Sequence, residues 1–388
     1  MEKINFLYCE PDLKSYAGHL FNTAKFLSKE LLFIKNINLK FCLDENCDGI
    51  IFNKLNGHLV FIQRPNLTIT KSKIAFLKDF FYFNYYIFKG LRKAILNSNQ
   101  KNIIYFNTAQ HLHLLAIFFI LVLYSKKIKG CILTFRLTFF FGKKKIKRYY
   151  FYYFLFKILN FFKNKIVLHT DTKNIYLQLQ EITKLKKFLM PIPHLNSYNG
   201  KRDKLCISFL GPATKEKKTF DTLCKILISE EISKLRSEIC LIIHCFGIEK
   251  DRIIKLVSQH RNKLQIHLRL YPLNFNEYYK DLKRSSISIF NYHQSHYENQ
   301  SSGTFIETIF HNTIPLVSEN TWMASVLNDY DLKDLIVNDN NLVKILVSTI
   351  KNKKYYAALV ENKLIEFKKF HGVKNFVEIL KHQITEFE

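Results

Sequence analysis

"ISIFNYHQSHYENQSSGTFIETIFHNTIPLVSENTWM", residues 287–323, compresses a strand, a polar loop, a helix mouth and a second strand into one stretch. The apolar run to Tyr292 reads as the strand, with a loop from Tyr297 to Gly303 and a helix beginning near Ser302. "TIPLVS" (313–318) has strand character again. A helix start leaves backbone N–H groups unpaired and carries the positive dipole end, so it suits a diphosphate. Ser301 and Ser302 can cap it or donate hydroxyls, and Gly303 lets a phosphate approach the backbone. Glu307, one turn on, can accept hydrogen bonds from sugar hydroxyls. Taken alone, the fragment also fits a plain helix N-terminus with an ordinary surface glutamate.

Outward from this stretch the same alternation recurs. Before it come "LCISFLG" (205–211), "CLIIHCFG" (240–247) and "LQIHLRLY" (264–271), each separated from the next by helical spacing, and "DLIVND" (334–339) follows. The N-terminal half repeats the pattern with "KINFLYC" (3–9), "HLVFIQ" (58–63), "NIIYFN" (102–107), "GCILTF" (130–135) and "KIVLHT" (165–170). Strands interleaved with helices predict doubly wound parallel sheets. Between the halves, "MPIPHLNSYNGKRDK" concentrates Pro, Gly and polar residues as linkers do. At 388 residues the chain fits two domains of about 150–200 residues. Ligands in open α/β sheets sit at the carboxyl ends of strands, so two facing sheets would bring two ligands together.

The composition is globular, with 48% hydrophobic residues. The eight cysteines include no Cys-x-x-Cys pair, and most lie in apolar runs. They read as small buried hydrophobes in a reducing compartment rather than a disulfide frame or zinc site. The N-terminus resembles a first strand, not a signal peptide. The formal charge is +27, and from Phe80 to Thr170 sixteen Lys and Arg occur without one Asp or Glu. Tracts such as "GKKKIKRYYFYYFLFKILNFFKNK" (142–165) mix that charge with aromatics, which serves an anionic membrane surface or nucleic acid. A bias toward Lys, Asn, Ile, Phe and Tyr offers a plainer origin for part of the excess. The run "LHLLAIFFILVLY" (112–124) falls short of the roughly 20 residues of a spanning helix and predicts a buried one. No dinucleotide Gly-x-Gly-x-x-Gly follows the first strand, and P-loop, nucleophile-elbow and His-Glu-x-x-His patterns are missing from the sequence.

With these residues in place, 287–323 resembles the donor-site segment of nucleotide-sugar glycosyltransferases of the GT-B fold, in particular the retaining type related to family 4. That resemblance implies two Rossmann-like domains facing a central cleft, with a C-terminal helix crossing back to the first domain. It divides the chain into an acceptor-side domain (1–195), a donor domain (196–360) and a helical segment (361–388). In such enzymes two carboxylates eight residues apart mark the helix, the second contacting the ribose. Glu307 matches the second, but Asn299 stands at the first, beside Glu298, and Gln300 replaces a frequent Arg. "FLGPATKEKKTFDTL" (209–223) resembles the loop Leu-Gly-x-Ala-Arg-x-Glu-Lys-Gly-Phe that neutralises the diphosphate. Gly211, Glu216 and Lys217 match; Thr214 replaces the Arg and Lys218 the Gly. Lys217 is thus the implied phosphate contact, with Lys215 as substitute for the Arg. "SYAGHLFNTAKFL" (15–27) resembles the loop that approaches the transferred sugar, through Gly18 and His19. Arg136, His169 and Asp171 end first-domain strands and read as structural.

The resemblance implies a glycosyltransferase carrying a sugar from a nucleotide-diphosphate donor to a glycan or lipid-linked acceptor. Glu307, Lys217 and His19 would act in catalysis, and Gly18, Gly211, Lys215, Lys217, Tyr297, Asn299, Ser301, Ser302, Gly303 and Glu307 would hold the donor. No metal and no cofactor beyond the donor substrate is expected, nor nucleic acid. Residues 80–170 would dock the protein on the inner face of the cell membrane from the cytoplasm. A catalytically silent relative that binds glycan is the alternative; a nucleic-acid-binding protein rests on charge alone.

Overall fold

The computed structural model describes residues 3–11, 13, 19–31, 36–55, 58–61, 73–97, 99–136, 146–194, 205–260 and 264–387. They form two compact units, Met1–Pro191 with Phe376–Glu388, and Ile192–Asn375.

The first unit carries a seven-stranded sheet, ordered β3-β2-β1-β4-β5-β6-β7. Its strands are β1 (Ile4–Glu10), β2 (Ile37–Asp44), β3 (His58–Phe61), β4 (Lys101–Ala109), β5 (Ile128–Phe135), β6 (Ile166–Thr170) and β7 (Lys186–Leu189). Every pairing is parallel. All seven residues of β1 are buried, as a central parallel strand covered on both faces requires. The sequence reading missed β2 and β7 for a visible reason. β2 opens with half-exposed, polar-interrupted residues, and β7 is a four-residue edge strand with two lysines. The C-terminal helix Val373–Glu386 packs in this unit from Phe376 onward. Phe376 meets Phe26 edge-on, Gln383 bonds His169, and the Phe387 ring lies where a side chain on Gly130 would stand.

The stretch 112–124 departs from expectation. Its helix, Leu114–Leu123, buries Leu114, Ala116, Ile117, Ile120 and Leu121 but exposes Phe119, Val122 and Leu123. A helix lying on a sheet turns only one side inward, so an all-apolar helix leaves apolar groups outside. It packs between helices Lys73–Leu96 and Ile146–Leu159. Among the described residues no helix is long and apolar enough to cross a membrane.

The second unit carries a six-stranded parallel sheet, ordered β10-β9-β8-β11-β12-β13. Its strands are β8 (Leu205–Phe209), β9 (Ile239–His244), β10 (Gln265–Arg269), β11 (Ser285–Phe290), β12 (Ile314–Ser318) and β13 (Ile336–Val337). The order reverses direction between β8 and β11, the position where such sheets open a ligand crevice. One cysteine expectation is corrected here. Cys206 and Cys240 are registered opposite each other on β8 and β9, with Cα atoms 4.8 Å apart, and form a disulfide. Spacing along the chain could not reveal a contact made by strand register. The other six are free: Cys9, Cys42, Cys131 and Cys245 are buried, and Cys47 and Cys224 half-buried.

Candidate functional site

Two loops that leave the adjacent strands β8 and β11 build the site. After β8 the chain turns at Gly211 with φ +86, in the left-handed region that favours glycine. A Cβ there would come 2.7 Å from Lys217 Nζ. The chain then makes a short 3-10 turn, Lys215–Lys217, and enters helix Thr219–Ile228 through Lys218, whose φ is 45. This turn folds Lys217 back against the glycine and over the Tyr292 ring, with Nζ 5.3 Å from the ring centre. Burial lowers the Lys217 pKa to about 8, and among the described residues no carboxylate pairs with it. Gly247, φ +115, braces the loop from behind: a Cβ there would meet Ala213 O at 2.6 Å. The Ala213 N–H donates to Phe246 O at 2.7 Å.

From β11, the His293 N–H donates to Glu216 O at 2.6 Å, which ties the two loops. Tyr292 packs at a tilt against Tyr297, their ring centres 4.4 Å apart, and its hydroxyl lies near Ser302. Helix Gly303–Phe310 begins there, and Ser302 Oγ caps it by accepting the Phe305 N–H at 3.3 Å. Lys217 over the Tyr292 ring, with Ser302 nearby, brings the phosphate-type loop toward the helix mouth.

Glu307 is not the surface residue of the plainer sequence reading; it is 9% exposed. Burial raises its pKa to about 7, against a lowering hydrogen bond donated by Tyr278 Oη. His194 Nδ1 stands 4.0 Å from its other oxygen. Tyr278 in turn lies across the buried His244, ring centres 5.8 Å apart. His244 Nδ1 accepts the Gly211 N–H at 3.0 Å, and its Nε2 faces Asp281 at 3.3 Å. Arg269 grips Asp281 with two bonds of 2.7 Å. Burial alone would raise the Asp281 pKa, but the Arg269 bonds and then His244 bring it to about 2.

Of the expected site residues, Gly211, Lys217, Tyr297, Ser302, Gly303 and Glu307 share this constellation. Lys215 is exposed on the same turn, while Asn299 and Ser301 are half-buried in the bend before the helix. Gly18 lies outside the described residues, and His19 is described only as the backbone start of helix His19–Glu30. Arg136 and His169 belong to the first unit. Arg136 donates to Asn107 O and Oδ1 at 3.2 and 2.9 Å, and Asn107 donates to Glu10 at 2.8 Å. Burial holds the His169 pKa down to about 3, so the ring is neutral beside Gln383. Asp171 is buried beyond the end of β6. Sequence reasoning missed Tyr278, His194, His244, Asp281 and Arg269. The paired tyrosines and aspartate of "NEYYKDLKRS" looked like an ordinary amphipathic helix, and His194 sat in a stretch read as linker.

A half-buried ammonium with no carboxylate partner among the described residues, near a left-handed glycine and a capped helix N-terminus, is an arrangement able to receive an anion. The carboxylate one turn along adds an acceptor for hydroxyl donors. No family model matches the chain, and no curated protein matches it. Among solved structures it is similar to the Candida albicans trehalose-6-phosphate phosphatase N-terminal domain, at 14% identity and a TM-score of 0.68, over 100% of this chain and 97% of that one. HepE from Anabaena in complex with UDP aligns at 9% identity and TM-score 0.62, over 99% of both chains. An E. coli trehalose-6-phosphate protein bound with UDP-2-fluoro glucose aligns at 10% identity and TM-score 0.62, over 97% of this chain and 99% of that one. The chain has the GT-B fold.

Proposed function

We propose that this protein is a glycosyltransferase that moves a sugar from a nucleotide-diphosphate donor to a glycan or lipid-linked acceptor. The observation that carries the reading is Lys217: a desolvated cation with no carboxylate partner among the described residues, pressed against Gly211 and over the Tyr292 ring. Such a charge is costly to bury unless an anion completes it. UDP is the first nucleotide to test, since HepE and the E. coli protein were solved with UDP and a UDP-sugar.

In this reading the departing diphosphate gains negative charge as the glycosidic bond breaks. Lys217, the backbone amides at Ser302 and Gly303 and the helix dipole stabilise it. Glu307, ionised, accepts the ribose hydroxyls. Charge neutralisation by Lys217 leaves no step that requires a metal, and EDTA should leave turnover unchanged. The resemblance to family 4 supports retention, with the departing phosphate taking the acceptor proton on the same face. Thermal shift and calorimetry with UDP-, GDP- and CMP-sugars test the reading. The expected result is a shift with one nucleoside diphosphate that Glu307→Ala removes with the fold intact. Full turnover in that variant, or no binding of any nucleotide, would sink it. Nucleotide binding without transfer to any acceptor would instead favour the silent glycan-binding relative, for which Asn299 in the carboxylate position speaks.

The acceptor side adds a surface. Leu77, Phe81 and Tyr85 are exposed at helical spacing on Lys73–Leu96, beside exposed Phe119, Val122, Leu123 and Phe154, and Phe161 is 85% exposed. These lie in or next to the acid-free, lysine-rich stretch, the chemistry of a peripheral anchor on anionic lipid. Co-sedimentation should favour vesicles with phosphatidylserine or phosphatidylglycerol over neutral ones, and Phe119→Ser with Leu123→Ser should weaken it. Equal binding to neutral vesicles would refute the anchor.

A further inference from the structure

We propose that His244 is a positioning residue for the Gly211 amide, and that Asp281 and Arg269 hold His244 in the tautomer that does so. This inference rests on reading the Gly211 loop as the diphosphate cradle.

Hydrogen-bond chemistry sets the tautomer. Asp281 is fully buried and, held ionised by Arg269, can only accept, so the His244 proton sits on Nε2. Nδ1 then presents a lone pair, and the Gly211 N–H donates to it at 3.0 Å. The opposite tautomer would set two N–H groups against each other. A buried Asp–His pair closed by a half-buried Arg is an expensive way to fill a core, because apolar side chains of similar volume are often as stable or more so. Here the far end of the set bonds the residue against which Lys217 rests.

The same imidazole reaches the second half of the site. Its ring contacts Tyr278, whose hydroxyl donates to Glu307. A displacement of His244 therefore moves both the glycine that backs Lys217 and the tyrosine that orients the carboxylate. His244 touches no donor atom in this scheme; it acts through Gly211 and Tyr278.

Two near-isosteres separate positioning from core filling. An asparagine at 244 places Oδ1 near the Nδ1 position and keeps an acceptor for Gly211. A glutamine places its amide near Nε2, keeping the Asp281 contact and losing that acceptor. The chain has eleven glycines, so 15N-glycine labelling gives a spectrum simple enough to follow the Gly211 amide. In His244→Gln, and in Asp281→Asn where the carboxylate no longer fixes the tautomer, Gly211 amide exchange should accelerate about tenfold, the worth of one hydrogen bond. UDP should bind about tenfold more weakly in both, by the same reasoning. His244→Asn should stay near the parent in both readouts, and thermal melts identify variants that fail to fold. Equal Gly211 exchange in His244→Asn and His244→Gln, both folded, would overturn the proposal. Absence of nucleotide binding in the parent would overturn the cradle reading instead, while the exchange comparison still decides the role of His244.

Discussion

Each unit of this protein buries charge near the carboxyl end of its sheet, and the two handle it oppositely. In the first unit, Arg136 beyond β5 donates twice to Asn107 at the end of β4, and Asn107 donates to Glu10 at the end of β1. One amide joins the opposite charges, so the cluster is largely compensated from within. Among the described residues of the second unit, Lys217 faces no carboxylate, and Glu307 is met by a tyrosine hydroxyl and a histidine at 4.0 Å. Buried charge at a strand end therefore does not by itself mark a ligand site. Charge that the protein leaves uncompensated makes the stronger candidate.

That contrast breaks most directly by exchange of the two cations. Arg136→Met removes a buried cation that donates twice to Asn107 and should cost about 3 kcal/mol of stability in urea unfolding. UDP affinity, measured on the folded fraction, should not change. Lys217→Met should do the reverse. It removes a desolvation penalty and keeps the fold, while UDP binding weakens roughly 10- to 100-fold through loss of a charged contact. If Arg136→Met abolishes UDP binding and Lys217→Met does not, the assignment of sites is inverted.

The buried carboxylate gives the next largest effect. Glu307 folded titrates near 7, against 4.5 ordinarily, so the native state holds its proton more tightly than the unfolded chain. Its contribution is complete below about pH 4.5 and is lost as pH rises through about 7, on the order of 3 kcal/mol in all. Glu307→Gln should flatten that decline and melt above the parent at pH 8. UDP should oppose the trend, because ribose hydroxyls need the ionised form. The thermal shift it produces should therefore grow from pH 6 to 8, and a shift that shrinks over this range would contradict the ribose role.

Gly211 sharpens the comparison at smaller scale. Gly211→Ala forces a side chain into a left-handed backbone and against the Lys217 ammonium. About 1–2 kcal/mol of stability should be lost with the backbone strain, together with UDP affinity as Lys217 is displaced. An alanine variant of parental affinity would show that the lysine does not depend on this glycine for its place.

The fold was legible in the sequence because parallel strands buried on both faces appear as continuous apolar runs. Ile4–Cys9, Ile103–Phe106 and Leu241–Ile243 each stood out, whereas β2 and β7, half-exposed and partly polar, did not. Of the candidate site, the residues carried by one local motif could be picked out in the sequence: Gly211 with Lys217, and Ser302 and Gly303 with Glu307. Those contributed by distant strands and helices were not. Nothing in the spacing of His244, Arg269 and Asp281 shows that β9, β10 and helix Phe275–Arg284 bring them together, and the Cys206–Cys240 pair was hidden for the same reason. The burial of Glu307 was equally invisible, since one carboxylate at a helix start looks alike exposed or enclosed.

Lys218 gives the smallest and most local test, because there the backbone kept a conformation that the residue type does not favour. The resembled loop has glycine at this position, and Lys218 retains φ 45, left-handed, at the entry to helix Thr219–Ile228. A non-glycine residue there costs about 1–2 kcal/mol, and glycine would return most of it, less its own larger unfolded-state entropy. The opposing loss is the pair from Lys218 Nζ to Asp339 at 3.1 Å, which is exposed and which Lys225 also serves at 2.8 Å. An exposed ion pair with a second cation at hand is worth a few tenths of a kcal/mol. Lys218→Gly should therefore raise stability by about 0.5 kcal/mol, visible as a small increase in melting temperature, and leave UDP affinity unchanged because Lys218 points to Asp339 and not to Gly211. A drop in UDP affinity would move Lys218 into the phosphate-binding set beside Lys217, and the second unit would then carry two cations for its ligand instead of one.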